Sequence, residues 1–161
     1  MKGCPLSKQK ENNKDGDMYP PTGFRFSILF KGIDDPLPDS LFNSIAGLEA
    51  NTDRPTPGPD SESVLSYDKT VYPVLVLKRA ARKYGESALL RWLFAGFKKT
   101  AANPLPEAKI ELLDETGQVA MFWTIRNIFP KSWKLSELNA EKSEILMETI
   151  EVYYEELSMN S

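Results

Sequence analysis

The chain opens its ordered part with a regular alternation of apolar and polar positions. Phe24, Phe26, Ile28 and Phe30 fall on every second residue of the segment 24–31. A period of two residues is that of a β-strand with one buried face. The segment therefore predicts an opening strand, and a second short strand is predicted over residues 42–51.

A β-hairpin is predicted further along the chain. Residues 108–113 and 118–125 are rich in apolar and β-branched residues, and the segment 114–117, Asp-Glu-Thr-Gly, separates them. Gly117 is placed where such a turn needs a left-handed backbone conformation, which glycine adopts without steric cost.

One helix is predicted, over about residues 86–101. Its apolar stripe has helical spacing and consists of Leu89, Leu90, Leu93, Phe94 and Phe97, with Trp92 at the border. Glu86 lies near the start, and Lys98 and Lys99 lie near the end, as the helix dipole favours. Pro104 cannot continue the helix.

The segment 144–154 fits two interpretations. Ile145, Leu146, Thr149, Ile150 and Tyr153 make a helical stripe, so periodicity alone favours a helix. As a strand, the segment is mainly apolar on both faces, which suits a strand covered on two sides. Residues 71–79 have the same doubly apolar pattern and predict such a strand.

Two segments lack any apolar period. Residues 1–17 are polar and lysine-rich, and residues 53–60 contain three prolines, which remove backbone hydrogen-bond donors. We therefore divide the chain into a flexible extension, residues 1–18, and one domain, residues 19–161, with an exposed loop at 53–60.

Net charge and the lengths of the apolar runs argue against some classes of function. The formal net charge is −3 and the isoelectric point is about 5.2, which argues against sequence-specific nucleic-acid binding. No apolar run approaches the about 20 residues that span a bilayer, so no membrane insertion by the chain itself is expected. The start lacks a signal-peptide pattern, which indicates assembly in the cytoplasm.

The chain has few residues of the types that carry catalysis or bind metal ions. The chain has no histidine and one cysteine, Cys4, so the commonest general base and metal ligand are missing. We predict no catalytic, metal-binding or cofactor-binding residues. A small β-barrel enzyme that works with carboxylates alone is a remote alternative.

A series of motifs resembles the tail tube family of contractile phages and related injection systems. The motifs in chain order are Tyr19-Pro20 with Phe24-Arg25-Phe26-Ser27-Ile28, Phe42 to Leu48, Leu75-Val76-Leu77-Lys78-Arg79, Trp92, Ile110 to Gly117, Trp123 to Pro130, Leu138-Asn139-Ala140 and Met147 to Glu151. They are similar to the family's elements such as L-x-L-K-R-G, I-x-L-L-D-x-x-G and I-E-T-L-E. Ala80, Phe129 and Tyr154-Glu155-Glu156 depart from the pattern, which leaves the main shaft and a specialised baseplate position both open.

The resemblance implies a fold and an assembly. The fold is mainly β, an antiparallel barrel or sandwich with one flanking helix, and it makes residues 144–154 a strand. Six copies form a ring, and rings stack into a hollow tube inside a contractile sheath, with baseplate, spike and cap proteins as partners and cargo or DNA in the lumen. Such a tube belongs to a phage tail or an extracellular injection particle. A type VI secretion ring protein that acts as a cargo chaperone is the alternative.

The two doubly apolar strands are the predicted subunit interface, and a plain two-layer core within the subunit is the alternative for each of their residues. The positions are Leu75, Leu77, Lys78, Arg79, Leu146, Glu148, Ile150, Glu151 and Val152. The basic pair Lys78 and Arg79 is expected either to form ion pairs with Glu148 and Glu151 across subunits or to be solvated.

Overall fold

A computed structural model describes residues 25–33, 41–50, 72–98 and 103–160. The predicted extension, the loop at 53–60 and the last residues of the predicted helix lie outside these ranges. The elements within them are β1 (Phe26–Lys31), β2 (Ser44–Ala46), β3 (Val74–Ala80), a 3-10 turn (Tyr84–Glu86), α1 (Ala88–Phe97), β4 (Leu105–Leu113), β5 (Val119–Leu135), β6 (Met147–Tyr153) and β7 (Glu156–Asn160).

All strand pairs are antiparallel and follow the order β1-β4-β5-β6-β3-β2, with β7 also paired to β5. Because β1 and β2 end this path without pairing to each other, the sheet is open. The predicted mainly β fold with one helix is confirmed, and of its two forms the sandwich, not the closed barrel, describes the chain.

The long strand β5 divides the sheet into two layers. Residues 119–128 pair with β4, and residues 129–135 pair with β6. We call β1, β4, the first half of β5 and β7 sheet A, and the second half of β5, β6, β3 and β2 sheet B. A strand that passes between two sheets in this way makes a corner of a sandwich.

The corner of β5 has an irregular backbone. Asn127 has a positive φ of 53°, and the register with β6 shifts between Pro130 and Ser132. The Asn127 amide donates to Glu155 Oε2 at 2.7 Å. Asparagine adopts the left-handed conformation more readily than most other residues, and this side-chain bond fixes Asn127 to the segment after β6. The sequence patterns predicted neither this continuation of β5 beyond residue 125 nor strand β7.

The two sheets bury one shared core. Ile28, Ile110 and Ile125 from sheet A form one cluster with Leu77 and Ile150 from sheet B, and all five are at most 2% exposed. The alternation predicted for the opening strand is thereby explained, because Ile28 points into this core. The hairpin is confirmed as β4 and β5, with Gly117 at φ 85° in the turn.

Helix α1 covers one end of the core. Ala88, Leu89, Leu90 and Leu93 are its buried residues, and the Phe94 ring packs edge-on against Trp133 of β5 at 5.3 Å. The helix begins two residues later than Glu86, because the Ser87 side chain accepts a hydrogen bond from the Leu90 amide and caps it.

The segment at 144–154 is a strand, β6, from Met147 to Tyr153. The helix favoured by periodicity is wrong, and the strand implied by the family resemblance is confirmed. Ile150 shows the reason: it pairs with Leu77 on one side and with Trp133 on the other. Backbone pairing on both sides outweighs helix propensity.

Tyr154, which follows β6, ties the segment after β2 to the core. Its hydroxyl lies 2.8 Å from the Gly47 carbonyl and 3.1 Å from the Glu49 carbonyl, and it accepts from the Glu49 amide at 3.0 Å. Burial raises the pKa of this phenol, although the Glu49 amide opposes the rise. The side chain is 0% exposed, so this departure from the family motif is an integral part of the core.

Candidate functional site

Eight of the nine predicted interface positions lie on the two faces of sheet B, and Leu146 directly precedes β6. The inward side chains, which are buried within the single chain, are Leu75, Leu77, Arg79, Glu148, Ile150 and Val152. The others are Lys78, which is exposed, and Leu146 and Glu151, which are half-buried. Because the structure contains one chain, the interface itself stays a prediction.

Arg79 and Glu148 form an ion pair inside the subunit. They are register partners on β3 and β6, and Arg79 Nε lies 2.6 Å from Glu148 Oε1. Both side chains are nearly inaccessible, 2% and 1% exposed. For these two residues neither expectation holds: the pair is not formed across subunits, and it is not solvated.

Other polar groups complete this buried cluster. An Arg79 terminal nitrogen donates to Ser87 Oγ at 3.0 Å, and Trp133 Nε1 donates to Glu148 Oε2 at 2.9 Å. The guanidinium also lies 4.9 Å from the centre of the Phe42 ring. Since each buried charge is satisfied on several sides, the cluster joins β3, β5, β6 and the cap of α1.

The outward face of sheet B carries a second polar cluster, which we call the Glu151 cluster and which consists of Glu151, Lys131, Ser132 and Lys134. Glu151 lies 2.9 Å from Lys131 and 3.4 Å from Lys134, and it accepts from the Ser132 hydroxyl at 2.9 Å. The Lys131 bond, followed by the Ser132 bond, lowers the pKa of Glu151 to about 2. The predicted ion pairing of Glu151 thus has partners on its own subunit.

The outward face of sheet A carries a ladder of alternating charge across four strands. Lys31 lies 2.6 Å from Glu107, which lies 3.4 Å from Arg126, which in turn lies 3.6 Å from Glu156. The bond from Lys31 contributes most to lowering the pKa of Glu107. No pattern in the sequence predicted this ladder, because its four members come from four different strands. The signal available in the sequence was the alternation of Glu107, Lys109 and Glu111 with apolar residues in β4.

Both sheets have open edges. Among the described strands, β1 and β7 pair on one side only in sheet A, as do β2 and the second half of β5 in sheet B. Unpaired strand edges offer backbone donors and acceptors to another chain.

The described parts of the chain show little that suggests chemistry. They contain no group of three or more acidic, cysteine or histidine side chains placed to hold a metal ion. Within those same ranges, no helix has the length and apolarity needed to cross a membrane.

The family follows from comparison with known proteins. The profile of the family described as T4-like virus tail tube protein gp19 matches residues 22–158. The chain belongs to this family, so it is a structural subunit of a tail tube. A search of curated protein sequences returned no match.

Solved structures share the fold. A chain of the PVC extracellular contractile injection system, in its extended sheath–tube complex, is 18% identical with a TM-score of 0.68, over 95% of this chain and 99% of that one. A chain of the anti-feeding prophage baseplate is 24% identical with a TM-score of 0.63, over 89% and 97%. A type six secretion system protein is 14% identical with a TM-score of 0.55, over 84% and 82%. The family and the fold are thus those of structural tube proteins.

Proposed function

We propose that six copies of this chain form a ring, and that the rings stack into the hollow inner tube of a contractile injection apparatus. The observation that carries the proposal is the match to the tail tube family over residues 22–158. The chain acts by assembly and not by catalysis. A ring-to-ring contact is heterologous and does not close, so it extends into a filament.

The open sheet edges support this assembly. If the four-stranded sheet B of each subunit joins its neighbours edge to edge, the shared barrel is wide enough to hold a water-filled channel. The same joining removes strand edges that would otherwise promote aggregation. The outward charges of Lys78 and of the Glu151 cluster suit a face that meets solvent or a neighbouring subunit.

A contractile sheath, a baseplate and a cap are the partners we propose for the tube. The solved structures with a similar fold include chains of a sheath–tube complex, a baseplate and a tube-terminating cap. We assign contacts with these partners to residues 1–17 and to the loop at 53–60, because neither segment has an apolar face to bury. Removal of residues 1–17 should leave a folded subunit with altered attachment or stacking.

Light scattering and electron microscopy of the purified chain test the ring. We expect a particle of about six times 18.2 kDa and, at high concentration, stacked rings. A strictly monomeric protein at high concentration would contradict the proposal.

A matched pair of lysine variants tests the predicted interface. Lys78→Glu reverses an exposed charge at a predicted interface position, whereas Lys83→Glu does so at a position outside the prediction; its side chain is 85% exposed. We expect Lys78→Glu to reduce the ring fraction and Lys83→Glu to leave it unchanged. Equal behaviour of the two variants would remove Lys78 from the interface.

A further inference from the structure

The loop between β5 and β6, residues 136–146, holds two apolar side chains in solvent. Leu138 is 76% exposed and Ile145 is 77% exposed, and both border one surface depression of the loop. The loop is closed at its base, where the Ser136 amide donates to the Met147 carbonyl at 2.8 Å and the Met147 amide donates to Ser136 Oγ at 3.0 Å. The two side chains are therefore presented on a tethered support.

An apolar hollow lies at the opposite end of the same sheet. It has a volume of about 280 Å³ and is lined by Tyr72, Phe129, Tyr153 and Glu155. The β5–β6 loop adjoins Leu135 and Met147, whereas Phe129 and Tyr153 lie at the other ends of the paired segments of β5 and β6. At about 3.3 Å per residue, roughly 20 Å of strand separates the two features.

We propose that the β5–β6 loop of one subunit inserts Leu138 and Ile145 into the hollow of a second copy of this chain in the next ring. The inference rests on the proposed tube and names the contact that stacks its rings. A projection and a recess on opposite ends of one sheet cannot meet within a subunit. A twofold pair would join them reciprocally and close, so it would not extend into a tube. They meet when subunits repeat head to tail along the strand direction.

The loop is acidic, whereas charges of both signs border the hollow. The loop contains Glu137, Glu141 and Glu144 against one lysine, Lys142. At the hollow, Lys131 Nζ lies 5.6 Å from the centre of the Tyr153 ring. The Glu155 carboxylate at the rim accepts a hydrogen bond from the Asn127 amide. Because Lys131 is already paired with Glu151 at 2.9 Å and Glu155 is acidic, the contact that we infer is an apolar one.

Charged substitutions in the β5–β6 loop test whether the loop is needed for the stacking of rings and not for the formation of each ring. We expect the double variant Leu138→Asp/Ile145→Asp to form rings of normal mass and to need at least about tenfold more protein than the unmodified chain to form tubes. Leu29→Ser is the matched control, since Leu29 is a 46% exposed apolar residue on the outward face of sheet A. Unchanged tube formation by the double variant would overturn the inference, and so would loss of its rings.

Cross-linking tests the pairing of loop and hollow directly. The double variant Tyr72→Cys/Ile145→Cys is made in a Cys4→Ser background, and its tubes are treated with a bis-maleimide. The reagent is shorter than β6, so that it cannot link the two cysteines of one subunit. We expect a ladder of dimers, trimers and higher species on a denaturing gel, because each subunit then links to one above and one below. Each single-cysteine variant should stay monomeric on the gel.

Two results would overturn the head-to-tail contact. Dimers from Ile145→Cys alone would mean that loop meets loop, and tubes of the double variant that give no ladder would mean that loop and hollow do not meet in an open series. Failure of the proposed function looks different, because the unmodified chain would then form no rings at all.

Discussion

Arg79 Nε and Glu148 Oε1 lie 2.6 Å apart in a part of the core where both side chains are at most 2% exposed. A buried pair of this kind adds little net stability over apolar residues of similar size, but removal of one partner leaves a buried charge without compensation. If β3 and β6 paired in another register, both charges would be buried without a partner. The ion pair therefore favours the observed register of these two strands.

The first prediction concerns this pair. Arg79→Met or Glu148→Leu alone should lower the free energy of unfolding by about 3–5 kcal/mol, and the double variant should lose less than the sum. Urea unfolding at neutral pH measures the effect. Lys31→Met is the control, because Lys31 is 67% exposed in its pair with Glu107, and it should cost at most about 1 kcal/mol. Additive single losses would contradict the coupling.

The second prediction concerns Tyr154. Tyr154→Phe keeps the ring and removes the hydroxyl that serves Gly47 and Glu49, so we expect a loss of about 1–3 kcal/mol. Amide hydrogen exchange should quicken in residues 43–50, which the hydroxyl ties to the core. Tyr84→Phe, at a 54% exposed tyrosine, should change neither quantity. Unchanged exchange at 43–50 in Tyr154→Phe would show that other contacts hold this segment.

The third prediction separates a steric clash from backbone strain. Gly47 and Gly117 have φ of 90° and 85°, but a Cβ on Gly47 would lie 1.9 Å from the Val74 carbonyl oxygen, whereas none of the described atoms lies within 4 Å of one on Gly117. Gly117→Ala should cost about 1–2 kcal/mol from strain alone. Gly47→Ala should cost considerably more, because β2 must move away from β3. Thermal unfolding of the two variants compares them, and equal losses would contradict the clash.

The fourth prediction concerns Glu151. Its pKa is lowered from 4.5 to about 2 in the folded chain, so the folded state binds fewer protons than the unfolded state between these values. The stabilisation is present above about pH 4.5 and is lost as the pH falls towards 2. Glu151→Gln should therefore flatten the decline in stability over this window, as urea unfolding at several pH values measures. Glu115→Gln, in the exposed β4–β5 turn, is the control, and an equally steep decline in Glu151→Gln would contradict the assignment.

Local sequence patterns were sufficient for the elements whose two faces differ. The alternation around Ile28, the turn at Gly117 and the helical stripe through Leu93 each identified an element, because a single buried face leaves a period in the sequence. The boundaries were less well predicted. The Ser87 cap starts α1 later than expected, and the second strand shortens to Ser44–Ala46.

Residue composition and the motif series together determined the class of this protein, a structural tail tube subunit without an evident catalytic set. Tertiary structure decided the rest. Ile150 lies in a strand because Leu77 and Trp133, distant in sequence, pair with it on both sides. Arg79 and Glu148 are buried because β3 and β6 bring opposite charges together inside the core. A periodicity records which face of an element is apolar, but the partners of a backbone or of a charge are set by segments far away along the chain.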